Sequence, residues 1–469
     1  MLFNSIEYLI FLPTVFVLYW LLNKDHKKQN VLLLISSYIF YAFWDWRFLS
    51  LIVYSSLIDY FVGLKIHESS NKTTRKNWLI LSLVSNLGLL AVFKYYNFFA
   101  ESFAALMSVF GWQVDNVTLN IILPIGISFY TFQTLSYTID IYRKDFKPTK
   151  NVVAFFTYVS FFPQLVAGPI ERAAKLLPQI EKSRTFNKKW FHDGIFQITV
   201  GLFRKIVIAD NLAHYVNPIY ADPELHNSST LVLATTFFAF QIYFDFAGYS
   251  DIAIGSAKLL GFKFTRNFNL PYFSKSLSEV WRRWHISLST WLRDYLYKSL
   301  GSNKGGKLMM YKNVLITMVL GGLWHGNTWN FVIWGLMQGI LLGVEKFIFV
   351  KLKIRNAGVI GYIITFTVIL TTWAFFRAPT FESAKYIIKK FIFFDFRIPH
   401  IGDANAITTG VIVFGIGMLF DLYLYKSRKS LETLGSTFGS FKLSLFISIA
   451  IILMALFYST SNNFIYFQF

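Results

Sequence analysis

The sequence predicts an all-α polytopic membrane protein, and three observations carry that prediction. Hydrophobic residues make up 55% of 469 and the mean hydropathy is +0.46, more apolar surface than a soluble domain of this length can hide. The apolar residues fall in runs of helix-spanning length separated by short charged connections. Lys and Arg exceed Asp and Glu by 45 − 25 = 20, and the excess sits in those connections, as cytoplasmic loops do, rather than on a nucleic-acid-binding face. The expected partner is therefore a lipid bilayer and not a nucleic acid. Without cysteine the chain can form no disulfide, thiolate nucleophile or thiolate metal site, and no metal is expected.

The elements follow in order. The first apolar run, 6–22, lacks a basic leader and a small-residue cleavage site, so it reads as the first span. Further runs occupy 30–46, 48–64, 77–97, 118–141, 151–169, 190–209, 230–255, 311–350 (long enough for two), 357–376, 407–424 and 441–460. With roughly 20 residues needed per span, they amount to about eleven to thirteen transmembrane or re-entrant helices. Lys24, Lys27 and Lys28, then Lys65, Lys72, Arg75 and Lys76, then Arg143, Lys144, Lys147 and Lys150 mark cytoplasmic loops, which puts the amino terminus outside. Segment 151–169 is flanked by basic residues on both sides and interrupted at Phe161-Phe162-Pro163, so it reads as a re-entrant or broken helix. Segment 377–406 reads as a surface amphipathic helix. The loop Gly301-Ser302-Asn303-Lys304-Gly305-Gly306-Lys307 mimics the start of a phosphate-binding loop, but Leu308 stands where a Mg²⁺-binding Ser or Thr is needed. It reads as a flexible cytoplasmic turn.

The candidate chemistry lies between Asn267 and Asn330. Segment 256–313 is a basic, amphipathic cytoplasmic stretch whose only acids are Glu279 and Asp294. Advanced at 100° per residue, 281–298 forms one helix with Trp281, Trp284, Leu288, Trp291, Leu292, Tyr295 and Leu296 on an apolar arc. His285 falls inside that arc, between Leu292 and Leu296, as its one ionisable group; Arg282 and Arg293 flank the arc. His325 lies in Gly321-Gly322-Leu323-Trp324-His325-Gly326, between two nearly uncharged runs, where an ionisable side chain is costly and points to function. Asn327, Thr328 and Asn330 offer it polar company. Gln241, Asp245 and Tyr249 recur every four residues and share one helix face, a structural or funnel-lining set.

These residues carry a resemblance. Trp284-His285-Ile286-Ser287, Gly322-Leu323-Trp324-His325-Gly326, Phe244-Asp245-Phe246-Ala247-Gly248-Tyr249-Ser250-Asp251, Asn267-Phe268-Asn269-Leu270-Pro271-Tyr272, Leu123-Pro124-Ile125-Gly126 and the opening Met1-Leu2-Phe3-Asn4-Ser5 resemble the membrane-bound O-acyltransferase (MBOAT) superfamily, in particular its bacterial alginate O-acetyltransferase branch, over essentially the whole chain. The ending Phe464-Ile465-Tyr466-Phe467-Gln468-Phe469 also fits that branch. The resemblance implies a ring of tilted helices around a central funnel, formed by one domain spanning 1–469, in the bacterial cytoplasmic membrane. It implies acetyl-CoA as donor with no tightly bound cofactor, an extracytoplasmic SGNH-type esterase/transferase as partner, and acetyl groups passed outward to an exopolysaccharide. It makes Tyr466, on an outward-lying tail 461–469, an acyl carrier.

Acyl transfer from a thioester to a hydroxyl needs a base, donors for an oxyanion and a route for the donor. His325 is the expected base, and His285 is expected to position the thioester or stabilise the oxyanion. Arg282 and Arg293, with Trp284 and Trp324, are the expected donor-binding side chains; Asp245, Tyr249 and Asn327 are expected to line the funnel. Peptidoglycan O-acetylation is compatible with every one of these motifs, whereas the opening and the tail fit D-alanyl transfer to teichoic acid less well. A saccharide flippase would also be polytopic and basic, but would not need the two imidazoles.

Overall fold

In the computed structural model, which describes residues 1–113, 118–351, 358–399, 404–458 and 464–465, every regular element is a helix. The described chain divides into two compact units, Met1–Asn187 with Ala257–Thr265, and Lys188–Ser256 with Arg266–Phe469.

The first unit contains α1 (Ile6–Leu21), α2 (His26–Asp45), α3 (Leu49–Glu68), α4 (Lys72–Leu90), α5 (Tyr96–Val109), α6 (Ile127–Arg143), α7 (Val152–Ser160), α8 (Phe162–Leu165) and α9 (Ala173–Glu181). Their starts follow local chemistry: Ser5, Asp25, Asn71 and Asn151 each cap a helix through a side-chain oxygen that accepts a first-turn N–H. Apolar packing alone does not fix these helices side by side. Buried Asp59 on α3 accepts from Ser82 Oγ (2.5 Å) and Asn86 Nδ2 (3.0 Å) on α4, while Ser55 Oγ donates to Asn86 Oδ1 at 2.5 Å. Such bonds register helices where lipid and protein are equally apolar. The break expected in 151–169 is present, at Phe161 between α7 and α8.

The second unit contains α10 (Lys188–Phe203), α11 (Asp210–Ala221), α12 (Ser228–Leu259, as far as Ser256), α13 (Leu277–Arg283), α14 (Ile286–Trp291), α15 (Gly306–His325), α16 (Trp329–Lys351), α17 (Gly358–Arg377), α18 (Phe381–Ile392), α19 (Ala404–Ser427), α20 (Leu431–Leu434) and α21 (Ser440–Leu456). Here α10 and α12 touch backbone to backbone. A Cβ on Gly201 would meet Gly248 O at 2.6 Å, and one on Gly255 would meet Gly194 O at 2.7 Å. A π-helical turn, Arg204–Ala209, follows α10 and delivers two cations into the interior. As expected, α18 is a short amphipathic helix that buries Ser383, Ala384 and Ile387 and exposes Lys385.

Six helical stretches among the described residues are long and apolar enough to cross a membrane: His26–Glu68, Lys72–Val109, Ser228–Leu259, Trp329–Phe349, Gly358–Arg377 and Asn405–Ser427, with Ile6–Leu21 and Ser440–Leu456 apolar but shorter. His26–Glu68 holds the two helices α2 and α3, joined by a 3₁₀ turn at Trp46–Phe48, and Lys72–Val109 holds α4 and α5; run 118–141 becomes helical only from Ile127, and run 151–169 breaks into short pieces. A multi-pass membrane protein remains.

Candidate active site

The continuous helix expected over 281–298 does not form. It breaks at His285, whose φ of 39° and ψ of 55° put it in the left-handed region, between α13 and α14. A non-glycine residue held there needs its surroundings to fix it, and the neighbouring segment 267–269 does so. Asn269 N–H donates to Arg283 O (2.8 Å) and Ile286 N–H donates to Asn267 O (2.8 Å). The Asn267 side chain then closes on the bend: its Oδ1 accepts from Ser287 N–H (3.3 Å) and Ser287 Oγ (2.9 Å), and its Nδ2 donates to Ser250 Oγ (2.9 Å).

That network fixes the histidine tautomer. A backbone N–H can only donate, so the atom of Asn267 facing Ser287 is the oxygen. His285 Nδ1 lies 3.1 Å from the same oxygen and must therefore carry the proton. The neutral ring then presents Nε2 as a lone pair. His285 is fully buried, and Phe246 meets its ring edge-on at 4.6 Å between centroids. Burial first, and the neighbouring His325 second, hold its imidazole well below the usual histidine range.

His325 is the last residue of α15 and is 5% exposed. Its position depends on glycine. A Cβ on Gly322 would lie 2.2 Å from Phe331 O and 2.9 Å from Gly335 Cα, and one on Gly326 would lie 2.1 Å from the Phe331 ring. The hairpin α15–α16 can close this tightly only with hydrogen at both positions. Trp324, Trp334 and Phe376 surround the imidazole at 5.1, 5.2 and 5.6 Å between centroids. Trp324 is also 6.0 Å from the His285 ring. One indole thus neighbours both imidazoles, which are near enough for the charge of one to bear on the other.

Of the other residues singled out from sequence, Asp245 and Tyr249 do share a face of α12, and both meet the chain's end. Asp245 Oδ2 accepts the Ile465 N–H at 2.7 Å, and Tyr249 stacks on Phe464 at 4.6 Å. Phe464 and Ile465 are 2% and 5% exposed, so at these two residues the tail packs into the protein. Tyr466 lies outside the described residues. Trp284 is buried against Phe268 (5.2 Å), Tyr272 and Trp373 (5.2 Å), an aromatic wall and not an open donor surface. Arg282 is exposed at the end of α13, and Arg293 pairs with Asp294 Oδ1 at 3.0 Å on the far side of the break. The geometry that linked both arginines to His285 through one helix does not exist. Asn327 is exposed in the bend after His325.

Sequence reasoning missed Asn267, Lys205 and Arg204. Asn267 stood in a quoted motif but carried no visible chemistry, because its role depends on a partner eighteen positions away. Lys205 and Arg204 lie inside the apolar run 190–209, and cations there were the available signal. Lys205 Nζ bridges Asp210 (2.8 Å) and Asp245 (2.7 Å).

The helices and the paired imidazoles define a class: a multi-pass membrane protein with a buried two-histidine site. A model of the membrane-bound O-acyltransferase family, MBOAT, matches residues 42–384, and the chain belongs to that family; it is a membrane-bound O-acyltransferase. It is 42% identical over 388 residues to the probable alginate O-acetylase AlgI of Pseudomonas aeruginosa, covering 82% of this chain and 73% of the relative. It is 36% identical over 427 residues to the peptidoglycan O-acetyltransferase of Helicobacter pylori, covering 83% and 79%. The teichoic acid D-alanyltransferase of Bacillus subtilis is 29% identical over 239 residues, covering 49% and 60%.

Proposed function

We propose that the protein takes acetyl from cytosolic acetyl-CoA and passes it across the bacterial cytoplasmic membrane for O-acetylation of an exopolysaccharide, through an extracytoplasmic SGNH-type partner. The observation that carries this reading is the pair of buried imidazoles, 6.0 and 5.1 Å from the shared Trp324 ring. In the transfer step His325 takes the proton of an acceptor hydroxyl. The hydroxyl oxygen forms the new ester bond, the carbon–sulfur bond of the thioester breaks, and the thiolate of CoA receives the proton as it leaves. With Nδ1–H committed to Asn267, His285 offers a lone pair, so it positions a reacting group as an acceptor; a donor role toward an oxyanion would need the other tautomer. Tyr466 is the proposed carrier, and Arg282 or Arg293 reaches the CoA phosphates from the surface. The names of the relatives support acetyl over D-alanyl, since identity and coverage are higher for the O-acetylating ones. Peptidoglycan as final acceptor stands as the second reading, favoured by the similar coverage of that relative.

The test is incubation of the purified protein in detergent with acetyl-labelled acetyl-CoA. His325→Ala is expected to cut thioester turnover about 10²- to 10⁴-fold, the usual contribution of a positioned base. Turnover that survives this change would remove the base. Full-level acetyl on a Tyr466→Phe protein would remove the carrier.

A further inference from the structure

The acyl-transfer step leaves a buried charge cluster unused. Lys205, Asp210 and Asp245 are 6%, 3% and 1% exposed. Lys205 Nζ lies 2.8 Å from Asp210 Oδ1 and 2.7 Å from Asp245 Oδ1. Three buried charged groups cost more in desolvation than apolar side chains of the same volume, so packing alone is a poor account of them. Two carboxylates share one ammonium, and the second oxygen of Asp245 is turned to the end of the chain, where it accepts the Ile465 N–H. The lysine holds the carboxylate in that orientation; the acceptor does the recognising.

The contact reads backbone and therefore tolerates any non-proline residue at 465. Register comes from the residue before. Phe464 stacks on Tyr249 at 4.6 Å and meets Phe246 at 5.8 Å. Phe246 in turn lies edge-on to His285. Asp245, Phe246 and Tyr249 lie within about one turn of α12, so one short patch of helix holds the tail and touches the imidazole.

We infer that Asp245, clamped by Lys205, is a positioning residue that docks the C-terminal tail beside His285. The inference rests on the proposed carrier role of Tyr466, the next residue in sequence. The carboxylate touches no reacting atom; it sets the fraction of time the tail occupies the site. A charge-assisted hydrogen bond and aromatic contacts at Phe464, rather than a covalent or ionic link, hold the tail, so it can dock and leave.

The chain contains no cysteine, so Ile465→Cys supplies one thiol while keeping the backbone N–H. A membrane-permeant maleimide then reads docking, because the docked side chain is covered. Adding Asp245→Asn, whose amide oxygen still accepts but carries no charge, is expected to raise the labelling rate about 3- to 10-fold, the difference between a charge-assisted and a neutral hydrogen bond. In the chain without the cysteine, Asp245→Asn is expected to lower kcat for acetyl transfer while leaving the KM for acetyl-CoA unchanged. Ile465→Pro removes the donor and leaves the ion cluster untouched, which guards against a folding defect in the acid variant. The double variant should be no slower than Ile465→Pro alone. Unchanged labelling, unchanged kcat, or losses that multiply would each overturn the inference. Failure of the carrier reading shows separately, as full acetylation of the Tyr466→Phe protein, and leaves the labelling result to be judged by itself.

Discussion

At the scale of single residues, His285 is defined by what Asn267 does to it. Asn267 fixes its left-handed backbone and its tautomer, and full burial keeps the imidazole neutral. The cause of its lowered affinity for protons is first desolvation and then the neighbouring His325, and this has a pH signature. The unfolded chain binds a proton at His285 below about pH 6.5, whereas the folded chain refuses it until well below that value. Folding therefore carries stability at neutral pH that is lost as pH falls, by about 1.4 kcal/mol per unit in the window between the two values. Thermal unfolding in detergent from pH 7.5 to 5 is expected to show a falling Tm that is flatter in His285→Gln. Equal slopes in the two proteins would mean that the folded ring is free to protonate. None of this was legible from the residues around 285. Helical periodicity identified the right side chain, but the tautomer and the bend belong to Asn267.

At the scale of elements, periodic patterning was reliable where a helix is held by its own neighbours and failed where a distant segment intrudes. The break in 151–169 was marked locally, by Phe161-Phe162-Pro163, and it is present. The run 281–298 has no Gly or Pro and good amphipathic spacing, so nothing local marks the break at His285; backbone bonds to 267 and 269 impose it. The arginine reading failed with it, because angles on one cylinder have no meaning across a bend. The α15–α16 hairpin is the opposite case. The Gly321-Gly322 pair is a local signal of close approach, and Gly322, together with Gly326, delivers it. Gly326→Ala puts a methyl into the Phe331 ring, a small-to-large change of the kind that costs about 1–3 kcal/mol. The ring or the end of α15 must move, and His325 is at that end. Gly326→Ala is expected to lower acyl transfer, and Phe331→Leu in the same chain to restore part of it. A thermal shift and a turnover assay on the three proteins check this. Loss without any rescue would mean that the glycine serves something other than Phe331.

At the scale of the whole molecule, composition announced a membrane protein because apolar residues far exceed what a soluble interior needs. It could not count spans, since hydropathy does not distinguish a helix facing lipid from one facing protein. The span window of Ser228–Leu259 is 83% buried within the protein itself, and α6, rich in Ser and Thr, is almost wholly buried. What holds such interior helices together is polar. In the second unit, Arg204 at the end of α10 reaches Asp251 on α12 (2.6 Å) and Asp421 on α19 (2.7 Å). Tyr243 Oη donates to Asp421 at 2.8 Å, and Gln197 Nε2 donates to Asp251 at 3.0 Å. One guanidinium thus ties three helices, including the one that carries Asp245 and Phe246. Removing one partner of a buried pair leaves charge that nothing compensates, at a cost of about 3–5 kcal/mol. Asp421→Asn keeps the shape and removes the charge, so it is expected to lower Tm in detergent by far more than Tyr243→Phe, which loses a hydrogen bond worth about 1 kcal/mol. If the two variants prove equally stable, hydrogen bonding rather than charge is what the clamp contributes to holding α10, α12 and α19 in register.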